Sequence, residues 1–461
     1  MLGLALTPAY AQFGPVTQYP RGAVAYCWAM TLADINGDGQ LDAVMGSGDK
    51  IDVLLGQAGG SFTASATYQE SSLTPIGVAL GDVTGDGQLD VVTSCHPSTG
   101  GVVTVRPGLA GGTFGNATLY PTGTPTAARV ALHDLNNDGR LDIVASYLRG
   151  GVYMGIMMGL AGGSFSPIRT YGTNSFESHS MTLANLNGDG QIDLVQAGFT
   201  NDLVSVRLGQ SGGFRADVVY SAGTGGRIRD EAVGDVNGDG QPDIVVVDGN
   251  THQVGVLLGQ ATGGFAAGVP YSCGAGSTPN GVALGDVNGD GRLDIITANS
   301  GTQSVGVLLG QAGGGFAPVI THTTGTNTQP IYLKLADVNG DGRLDIVTVN
   351  MPSIFLTQTA TISVLLNQMG LAVTAALPAV GLTVAPNPAT GRATVQLPAA
   401  LGASKATLTV LDALSRPVHR QLLAGGVGSV ELPLAGYAPG IYQVQVLSAN
   451  GQQFRQRLII E

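Results

Sequence analysis

Residues 286–294 read Asp286-Val287-Asn288-Gly289-Asp290-Gly291-Arg292-Leu293-Asp294, and this stretch decides the fold of most of the chain. Oxygen-bearing side chains stand at its positions 1, 3, 5 and 9, with glycine at position 6. Ca²⁺ is a hard cation that takes about six to eight oxygen ligands, and the glycine lets the backbone turn sharply enough for side chains and the position-7 carbonyl to converge. The spacing therefore predicts a calcium-binding loop.

The loop occurs seven times, at intervals of 48, 52, 51, 50, 51 and 51 residues. A self-similar period near fifty residues is typical of repeat architectures. We expect up to seven structural Ca²⁺ ions, bound by the side chains of positions 1, 3, 5 and 9 and by the position-7 carbonyl. The predicted ligands are Asp34, Asn36, Asp38, Gln40 and Asp42; Asp82, Thr84, Asp86, Gln88 and Asp90; Asp134, Asn136, Asp138, Arg140 and Asp142; Asn185, Asn187, Asp189, Gln191 and Asp193; Asp235, Asn237, Asp239, Gln241 and Asp243; Asp286, Asn288, Asp290, Arg292 and Asp294; and Asp337, Asn339, Asp341, Arg343 and Asp345.

The seven copies differ in quality. Thr84 stands at position 3 of the second loop, Asn137 at position 4 of the third, and Pro242 at position 8 of the fifth. Asn185 removes the position-1 charge of the fourth loop, which is therefore expected to bind metal most weakly. The alternative for all seven is a hydrogen-bonded Asx turn without metal, although carboxylates that converge without a cation repel one another.

Two other calcium-binding folds that contain similar loops are disfavoured. An EF-hand requires a glutamate at position 12 and flanking helices, but position 12 is never glutamate here and the flanking segments are strand-like. A calcium-binding β-helix requires a nonapeptide period, which is absent.

The acidic charge of the chain is concentrated in the loops. They hold 20 of the 32 acidic residues, and seven bound Ca²⁺ would change the formal net charge from −12 to about +2. A strongly acidic protein lacks the basic surface that nucleic-acid binding requires. The loops therefore account for the acidity better than a solvated acidic face does.

Each repeat has the pattern of four short strands, clearest in the sixth: Gly281–Val287, Leu293–Ala298, Ser304–Leu309 and Phe316–His322. Only 11% of residues are charged and 72 are glycine, which favours short strands and tight turns over helices. A four-stranded meander exposes apolar residues on both faces, and radial stacking of such sheets buries them. We expect an all-β, seven-bladed β-propeller.

The end of the array predicts how the propeller closes. The seventh repeat stops at Gln368 without a fourth strand, whereas Gln12–Tyr19 matches the fourth-strand pattern of Gly315–His322. The N-terminal strand should therefore complete the last blade and remove an open sheet edge. The loops, the "GGF" turns and "GVALGDVNGDG" resemble FG-GAP/VCBS repeats over about residues 12–368, a family that includes the calcium-bearing propeller of integrin α subunits.

The N-terminus and the cysteines add two smaller predictions. Residues 1–11 are short and apolar and end in Ala9-Tyr10-Ala11, as in the remnant of a signal peptide without its basic region. Cys27, Cys95 and Cys273 form neither a metal pattern nor a disulfide framework, so we expect small buried side chains, with one disulfide possible.

A second domain follows a linker over residues 369–380. Short alternating strands over residues 381–461 predict a small Ig-like β-sandwich. The segment resembles the type A sorting domain of the type IX secretion system in Pro386-Asn387-Pro388 with Gly391, in Pro439-Gly440-Ile441-Tyr442 and in the terminal strand Leu458–Ile460, with Ser415 in place of a usual glycine. The resemblance implies export by that machinery to the outer surface or the medium; an ordinary adhesion sandwich is the alternative.

A ligand site is expected on the propeller face opposite the calcium loops. Aromatic and charged residues near strand ends on that face are the candidates: Tyr26, Trp28, His96, Arg129, Tyr147, Arg149, Phe176, Glu177, His179, Arg227, Arg229, Asp230, Glu231, His252 and Tyr332. An aromatic at the position of Trp28 is more often packed than in contact with ligand, and His179 with Glu177, or Arg229 with Asp230 and Glu231, are interpreted as solvated loop residues.

Two functions stay open at this point. The first is a non-catalytic binding or adhesion module for a glycan or protein. The second is a secreted polysaccharide lyase or hydrolase. The repeats vary in length by only four residues and so leave little room for the long insertions of catalytic propellers. The sequence therefore favours binding and predicts no catalytic residue.

Overall fold

The structure is a computed structural model, and it describes residues 13–20, 27–70, 73–96, 100–123, 127–147, 154–172, 180–261, 263–352, 360–368, 382–385, 389–397, 405–411, 417–438, 440–448 and 453–460. Every regular element in this part of the chain is a β-strand, so the all-β prediction is confirmed. No helix that could span a membrane occurs among these residues. The predicted signal remnant, the linker and Pro386–Pro388 lie outside them.

The chain divides into two compact units, Met1–Gly370 and Leu371–Glu461. The strands of the first unit are β1 (Thr17–Pro20), β2 (Cys27–Ala33), β3 (Asp42–Ser47), β4 (Lys50–Gln57), β5 (Ser61–Gln69), β6 (Thr74–Gly81), β7 (Asp90–His96), β8 (Val102–Arg106), β9 (Gly108–Leu109), β10 (Thr113–Phe114), β11 (Thr118–Pro121), β12 (Ala127–His133), β13 (Asp142–Tyr147), β14 (Met154–Met157), β15 (Gly159–Leu160), β16 (Ser164–Phe165), β17 (Arg169–Tyr171), β18 (Thr182–Ala184), β19 (Asp193–Ala197), β20 (Leu203–Gln210), β21 (Gly213–Ser221), β22 (Ile228–Gly234), β23 (Asp243–Asp248), β24 (Gln253–Leu257), β25 (Val269–Ser272), β26 (Pro279–Gly285), β27 (Asp294–Asn299), β28 (Ser304–Leu308), β29 (Gly310–Gln311), β30 (Gly315–Phe316), β31 (Ile320–Thr323), β32 (Thr328–Ala336), β33 (Asp345–Pro352) and β34 (Thr361–Leu365).

The described residues of this unit form seven four-stranded antiparallel sheets. In chain order these are β2-β3-β4-β5, β6-β7-β8-β11, β12-β13-β14-β17, β18-β19-β20-β21, β22-β23-β24-β25, β26-β27-β28-β31 and β32-β33-β34-β1. The second strand of a sheet is buried along its length, as in Asp294–Asn299, because neighbouring sheets cover both of its faces. Successive first strands contact one another from β2 to β12 and from β18 to β32, and β32 contacts β2. All seven first strands surround one central cavity, so the sheets form a ring around an axis.

The outermost strand is interrupted in the sixth sheet. Its first part, β30, pairs with β29, and β31 starts only at Ile320. Pro318 lies between them and has no N–H to donate to the ladder. The prediction of one continuous strand over Phe316–His322 is therefore wrong at its centre.

Edge-to-face aromatic pairs join consecutive sheets. A tyrosine of one outermost strand packs against the phenylalanine of the next sheet's glycine turn, with ring centroids 5.2 to 5.8 Å apart. The pairs are Tyr19–Phe62, Tyr68–Phe114, Tyr120–Phe165, Tyr220–Phe265 and Tyr271–Phe316. The joint is also polar, since the N–H of Phe114 donates to the Tyr68 hydroxyl at 2.9 Å. Such pairs stabilise beyond the area they bury.

The N-terminal segment makes two edge-to-face aromatic contacts with neighbouring sheets. β1 pairs antiparallel with β34, from Thr17 opposite Val364 to Pro20 opposite Thr361. Phe13 lies edge-to-face on His322 at 5.1 Å, and Tyr19 lies on Phe62. The first and last segments of the array therefore share one sheet, which contacts a neighbour on each side.

The second unit has two sheets around one core. Its strands are β35 (Thr383–Ala385), β36 (Arg392–Gln396), β37 (Ala406–Leu411), β38 (Pro417–Leu423), β39 (Ser429–Pro433), β40 (Gly440–Ser448) and β41 (Gln453–Ile460). The sheets are β35-β36-β39 and β38-β37-β40-β41. Val395, Leu408, Val444 and Leu458 are fully buried in a shared core, because inward positions alternate with exposed ones along each strand.

The three cysteines are small buried side chains in the core of the first unit, and none of them forms a disulfide within the described residues. Burial raises the pKa of Cys95 and of Cys273 to about 12, so neither thiol ionises at neutral pH. The expectation of buried cysteines is confirmed.

Deletion of residues 12–19 should lower the melting temperature of the first unit by several degrees. The deletion exposes the edge of β34 and removes two aromatic contacts, and a loss of roughly 3 kcal/mol lowers the melting temperature of a unit of this size by about 4 °C. Differential scanning calorimetry of the full chain measures the shift, with deletion of residues 1–11 as the control. An unchanged transition would show that β1 does not hold the ring closed.

Candidate functional site

Each first strand runs from one face of the propeller to a loop on the other. Trp28 on β2 and Arg229 on β22 both stand six residues before position 1 of the loop that follows. Ile76, Ala128, Asn280 and Ile331 hold the same place in their strands. These six residues, together with Arg129, line one pocket of about 180 Å³. We call this pocket the mouth; it lies at the end of the axial channel remote from the loops.

A β-bulge aims these side chains at the axis. In β2, Cys27 pairs with Ser47 and Ala29 with Gly46, so the strand register shifts by one residue at Trp28. The same register shift occurs at Ile76, Arg229, Asn280 and Ile331, and over residues 128–129. Bulges re-aim side chains and are common beside binding sites. The repeat therefore builds one variable ring around the axis.

The mouth has an apolar half and a cationic half. Trp28 and Ile76, with Ile331, come from three adjacent sheets, the first, second and seventh. Arg129, Arg229 and Asn280 come from the third, fifth and sixth. Trp28 is 39% exposed, so the expectation that it is packed away is wrong. A group with one apolar face and one polar or anionic edge is complementary to this arrangement.

The Arg129 side chain forms the floor of the mouth. Its guanidinium donates to the carbonyl oxygens of Trp28 at 3.0 Å and Ile76 at 3.4 Å, and lies 5.1 Å from the ring centre of Tyr332. Arg129 lines both the mouth and the channel beneath, a cavity of about 560 Å³ bounded by all seven first strands. One side chain thus links four sheets and separates the two cavities.

The channel wall contains a buried pair of acids. Glu231 occupies the register that holds Met30, Val78 and Val130 in the first three sheets, and it is 5% exposed. Its Oε2 accepts a hydrogen bond from the Ser180 hydroxyl, whereas its Oε1 has no partner. Burial, together with the neighbouring Asp230 charge, raises the pKa of Glu231 to about 8. Glu231 is therefore a neutral carboxylic acid at pH 7.

Asp230 is the second buried acid of this polar cluster. Its Oδ2 accepts the N–H of Val282 at 3.1 Å. Burial raises the pKa of Asp230, while the positive charges of Arg129 and Lys334 oppose the shift. Lys334 lies 5.4 Å from the ring centre of Tyr332, whose interaction raises the pKa of the lysine. Asp230 and Glu231 lie in a strand and are buried, so their interpretation as solvated loop residues is wrong.

The structure brings together only part of the predicted set. Tyr147 is fully buried, and His96 is exposed at the end of β7. His252 has a left-handed backbone, and its Nδ1 accepts the N–H of Thr278 at 3.1 Å. Arg227 is exposed beside Arg229. Tyr26, Arg149, Phe176, Glu177 and His179 lie outside the described residues.

Sequence reasoning missed Lys334, Asn280 and Ser180. Counting back from each loop would have found them, since Asn280 shares the register of Trp28, and Ser180 that of Asp230.

The loops themselves are closed by their position-9 aspartates. Asp294 accepts the N–H of Val287 at 2.9 Å through Oδ2 and that of Gly310 at 2.8 Å through Oδ1. Equivalent bonds form in all seven sheets. Position 9 is thus buried and joins its loop to the third strand of the sheet.

The donor set fits a hard cation. Burial and the charges of positions 5 and 1 raise the pKa of Asp294 and Asp345 to about 6, a repulsion that a bound cation would relieve. Each carboxylate oxygen of Asp294 and Asp345 accepts one N–H and so keeps a second lone pair. Glycines at positions 4 and 6 have positive φ, and Asn137 adopts φ 58° in the third loop. Oxygen donors from carboxylates and amides are those that Ca²⁺ prefers.

The loop side chains of positions 1, 3 and 5 also bond within the loop. Asp34 accepts the N–H groups of Gly37 and Gly39 at 2.7 and 2.8 Å. At position 7, Arg140 pairs with Asp138 at 2.6 Å and Arg343 with Asp341 at 3.1 Å, and Arg292 pairs with Asp290. Within the described residues, no three acidic, histidine or cysteine side chains are placed to hold a metal in this arrangement. Calcium binding stays a prediction.

Comparisons with known proteins match both units. A family model described as FG-GAP-like repeat matches residues 34–93, 134–196, 185–246, 235–297 and 286–348. A second, the secretion system C-terminal sorting domain, matches residues 383–461. A comparison with curated proteins finds no match.

Several solved structures are similar to this chain, among them a β-propeller with a TM-score of 0.50. The Dos1 propeller is 10% identical, with 74% of this chain and 77% of that chain covered and a TM-score of 0.50. A periplasmic gluconolactonase of Pseudomonas aeruginosa is 15% identical, covering 64% and 85%, with a TM-score of 0.48. A putative 6-phosphogluconolactonase of Bacteroides fragilis is 14% identical, covering 67% and 87%, with a TM-score of 0.48. The β-propeller prediction is confirmed at the level of fold.

Replacement of Glu231 by glutamine should flatten the pH dependence of stability. The folded pKa of about 8 lies above the ordinary 4.5, so folding takes up a proton between these values. That contribution is complete below pH 4.5 and is lost as pH rises towards 8. Glu231→Gln should therefore melt several degrees above the wild-type protein at pH 8.5 and close to it at pH 4.5.

Thermal melts from pH 4.5 to 8.5 measure this difference, with Asp49→Asn, which removes an exposed carboxylate outside the channel, as the control. A difference that does not change with pH would contradict a neutral Glu231.

Proposed function

This chain belongs to the FG-GAP-like repeat family, and we propose that its propeller is a non-catalytic, glycan-binding module with calcium at one face and the ligand site at the other. The sorting domain indicates handling by the type IX secretion machinery and a location in the medium or on the outer surface. A surface protein meets polysaccharides and other glycans directly. A protein ligand is the other class that such a surface could take.

The mouth carries this proposal. Exposed tryptophan beside aliphatic side chains suits the C–H face of a sugar ring, because aromatic rings combine a large apolar surface with fixed geometry. Asn280 and two arginines opposite supply donors for hydroxyl or acid oxygens. A volume of about 180 Å³ is below the size of sites for drug-like ligands. The mouth thus suits one sugar ring better than an extended chain.

Calcium is proposed as a structural ion. The predicted ligands lie at the far ends of the first strands from the mouth, so a bound ion would not contact the ligand. Bound Ca²⁺ would replace repulsion between carboxylates with attraction and hold each first strand to the second. Extracellular calcium modules fill at about millimolar concentration, which couples their stability to export.

A secreted lyase or hydrolase is the second candidate. The observation in its favour is the Asp230–Glu231 pair, two buried carboxyls on adjacent residues whose pKa values are both raised by burial, a setting that can tune a carboxyl for acid–base chemistry. Both carboxyls, however, are below Arg129 and at most 7% exposed. A polysaccharide would have to displace the floor of the mouth to reach them, so binding is the better supported function.

Replacement of Trp28 should remove saccharide binding. Trp28 is the only tryptophan, so the fluorescence of the wild-type protein reports on the mouth alone. A glycan array identifies saccharide ligands, and calorimetry then compares the variants. We expect Trp28→Ala to weaken binding about tenfold or more and Trp28→Phe to retain most of it.

Leu119→Ala, which truncates an equally exposed side chain on the outermost strand β11, is the matched control and should bind as the wild type does. Unchanged affinity in Trp28→Ala would refute the mouth as the site. Release of new reducing ends from a bound polysaccharide would favour the enzyme.

Calcium removal should separate the roles of positions 5 and 9. With calcium, Asp290→Asn and Asp294→Asn should both melt below the wild type, whereas in EDTA only Asp294→Asn should remain lower. The buried carboxylate of Asp294 accepts hydrogen bonds from two N–H groups. Disruption of these bonds costs about 1–3 kcal/mol of folding free energy whether or not metal is bound. Melting curves with calcium and with EDTA test this, and a wild-type curve unaffected by EDTA would contradict structural calcium.

A further inference from the structure

We infer that the mouth selects an acidic sugar, a hexuronic acid residue at the end of a glycan chain, through Arg229 with Arg227 and Arg129. This inference deepens the proposed function and rests on it. It names the charge of the ligand and the residues that read that charge.

The cationic half of the mouth is bordered by a further arginine, Arg227, which is exposed and lies outside the pocket lining. Arg229 and Arg227 lie over the same ring, with guanidinium carbons 4.8 and 5.9 Å from the ring centre of Phe199. Two like charges held on one ring disfavour each other, and burial together with the neighbouring charge of Arg227 lowers the pKa of Arg229. An anion between them would convert this repulsion into attraction.

Nearby protein groups do not supply that anion. Within the described residues, neither Arg227 nor Arg229 forms an ion pair, and the described lining of the mouth contains no acidic side chain. The negative charge of Asp248 attracts Arg229 and raises its pKa. Asp248, however, is fully buried and already accepts hydrogen bonds from the Thr224 hydroxyl and from the N–H groups of Asn250 and Thr251. Arg229 Nε is itself buried without a hydrogen-bond partner.

Other arginines of the propeller are occupied differently. Arg140, Arg292 and Arg343 pair with loop aspartates, and Arg106 and Arg207 pair with Glu70 and Asp217. Arg129 and Arg229 instead line the mouth, where an external carboxylate can reach them. A guanidinium binds a carboxylate through two parallel hydrogen bonds, which gives both strength and orientation.

The two halves of the mouth fit one chemical group. A pyranose ring presents an apolar C–H face, and a uronic acid adds a carboxylate at one edge. Trp28 with Ile76 and Ile331 would contact the face, and the arginines the carboxylate. Because Arg129 closes the floor, the pocket admits a ring from outside only, as a chain end would enter.

The test compares hexuronate trisaccharides with their carboxyl-reduced, neutral counterparts. Calorimetry is carried out at fixed free calcium and ionic strength, on the full chain, with a panel of galacturonate, glucuronate and mannuronate. We expect the wild type to bind at least one acid about tenfold more tightly than its neutral form, with a preference that declines as salt rises. Arg229→Ala should abolish this preference, and Arg229→Lys should retain part of it.

Arg169→Ala is the matched control, since Arg169 also stacks on an aromatic ring, that of Tyr171, but on the outermost strand β17. It should keep the preference, and melting curves confirm that each variant folds. Equal binding of acid and neutral forms, or a preference that survives Arg229→Ala, would overturn the inference while leaving glycan binding intact. Binding of poly-glutamate with the same dependence on Arg229 would overturn recognition of a sugar, and binding of no saccharide would overturn both proposals.

Discussion

The fold depends on one buried interaction, the carboxylate at position 9 of each loop. In the first sheet, Asp42 accepts the N–H of Ile35 at 3.0 Å and that of Gly56 at 2.7 Å. It thereby ties the loop between strands one and two to the third strand. A Cβ at Gly56 would lie 2.3 Å from the Leu41 carbonyl oxygen, so the close approach requires glycine. This explains why the glycine of "LLGQ" recurs with the loop.

The last sheet satisfies the same constraint in another way. Asn367 replaces the glycine and donates its backbone N–H to Asp345 at 2.7 Å. Its side-chain amide donates to the carbonyl oxygens of Val287 at 2.8 Å and Leu344 at 3.1 Å. The substituted residue therefore bonds both its own sheet and the preceding one, at the point where the array ends and β1 enters. Ring closure, and the metal binding that we propose, act on a scaffold that these hydrogen bonds already define.

Much of this scaffold can be predicted from the sequence, because the repeat and the loop impose fixed spacings. The four strands per repeat, and the assignment of Gln12–Tyr19 to the edge where β1 lies, both follow from pattern. The tyrosine–phenylalanine contacts between sheets cannot be predicted from this pattern, because each tyrosine packs against a phenylalanine about 45 residues away in the next repeat. Pro318 is a sequence signal for a strand break, but the apolar alternation around it predicts one continuous strand.

The candidate site was harder to predict than the fold. A β-bulge shifts side-chain direction by one residue, so alternation alone places Trp28 in the wrong environment. Glu231 stands where other repeats have a hydrophobic residue, and only an alignment on the loops shows this. The loops that identify the fold therefore lie at one face of the propeller, whereas the candidate site lies towards the other, where the residue type at one register position differs from repeat to repeat.

A crystal structure of the protein grown with calcium and a hexuronate trisaccharide tests the account most directly. The account predicts metal density within the loops, and sugar density at the mouth, with a ring on Trp28 and a carboxylate on Arg229. Sugar bound at the loop face, with the mouth unoccupied, would contradict it.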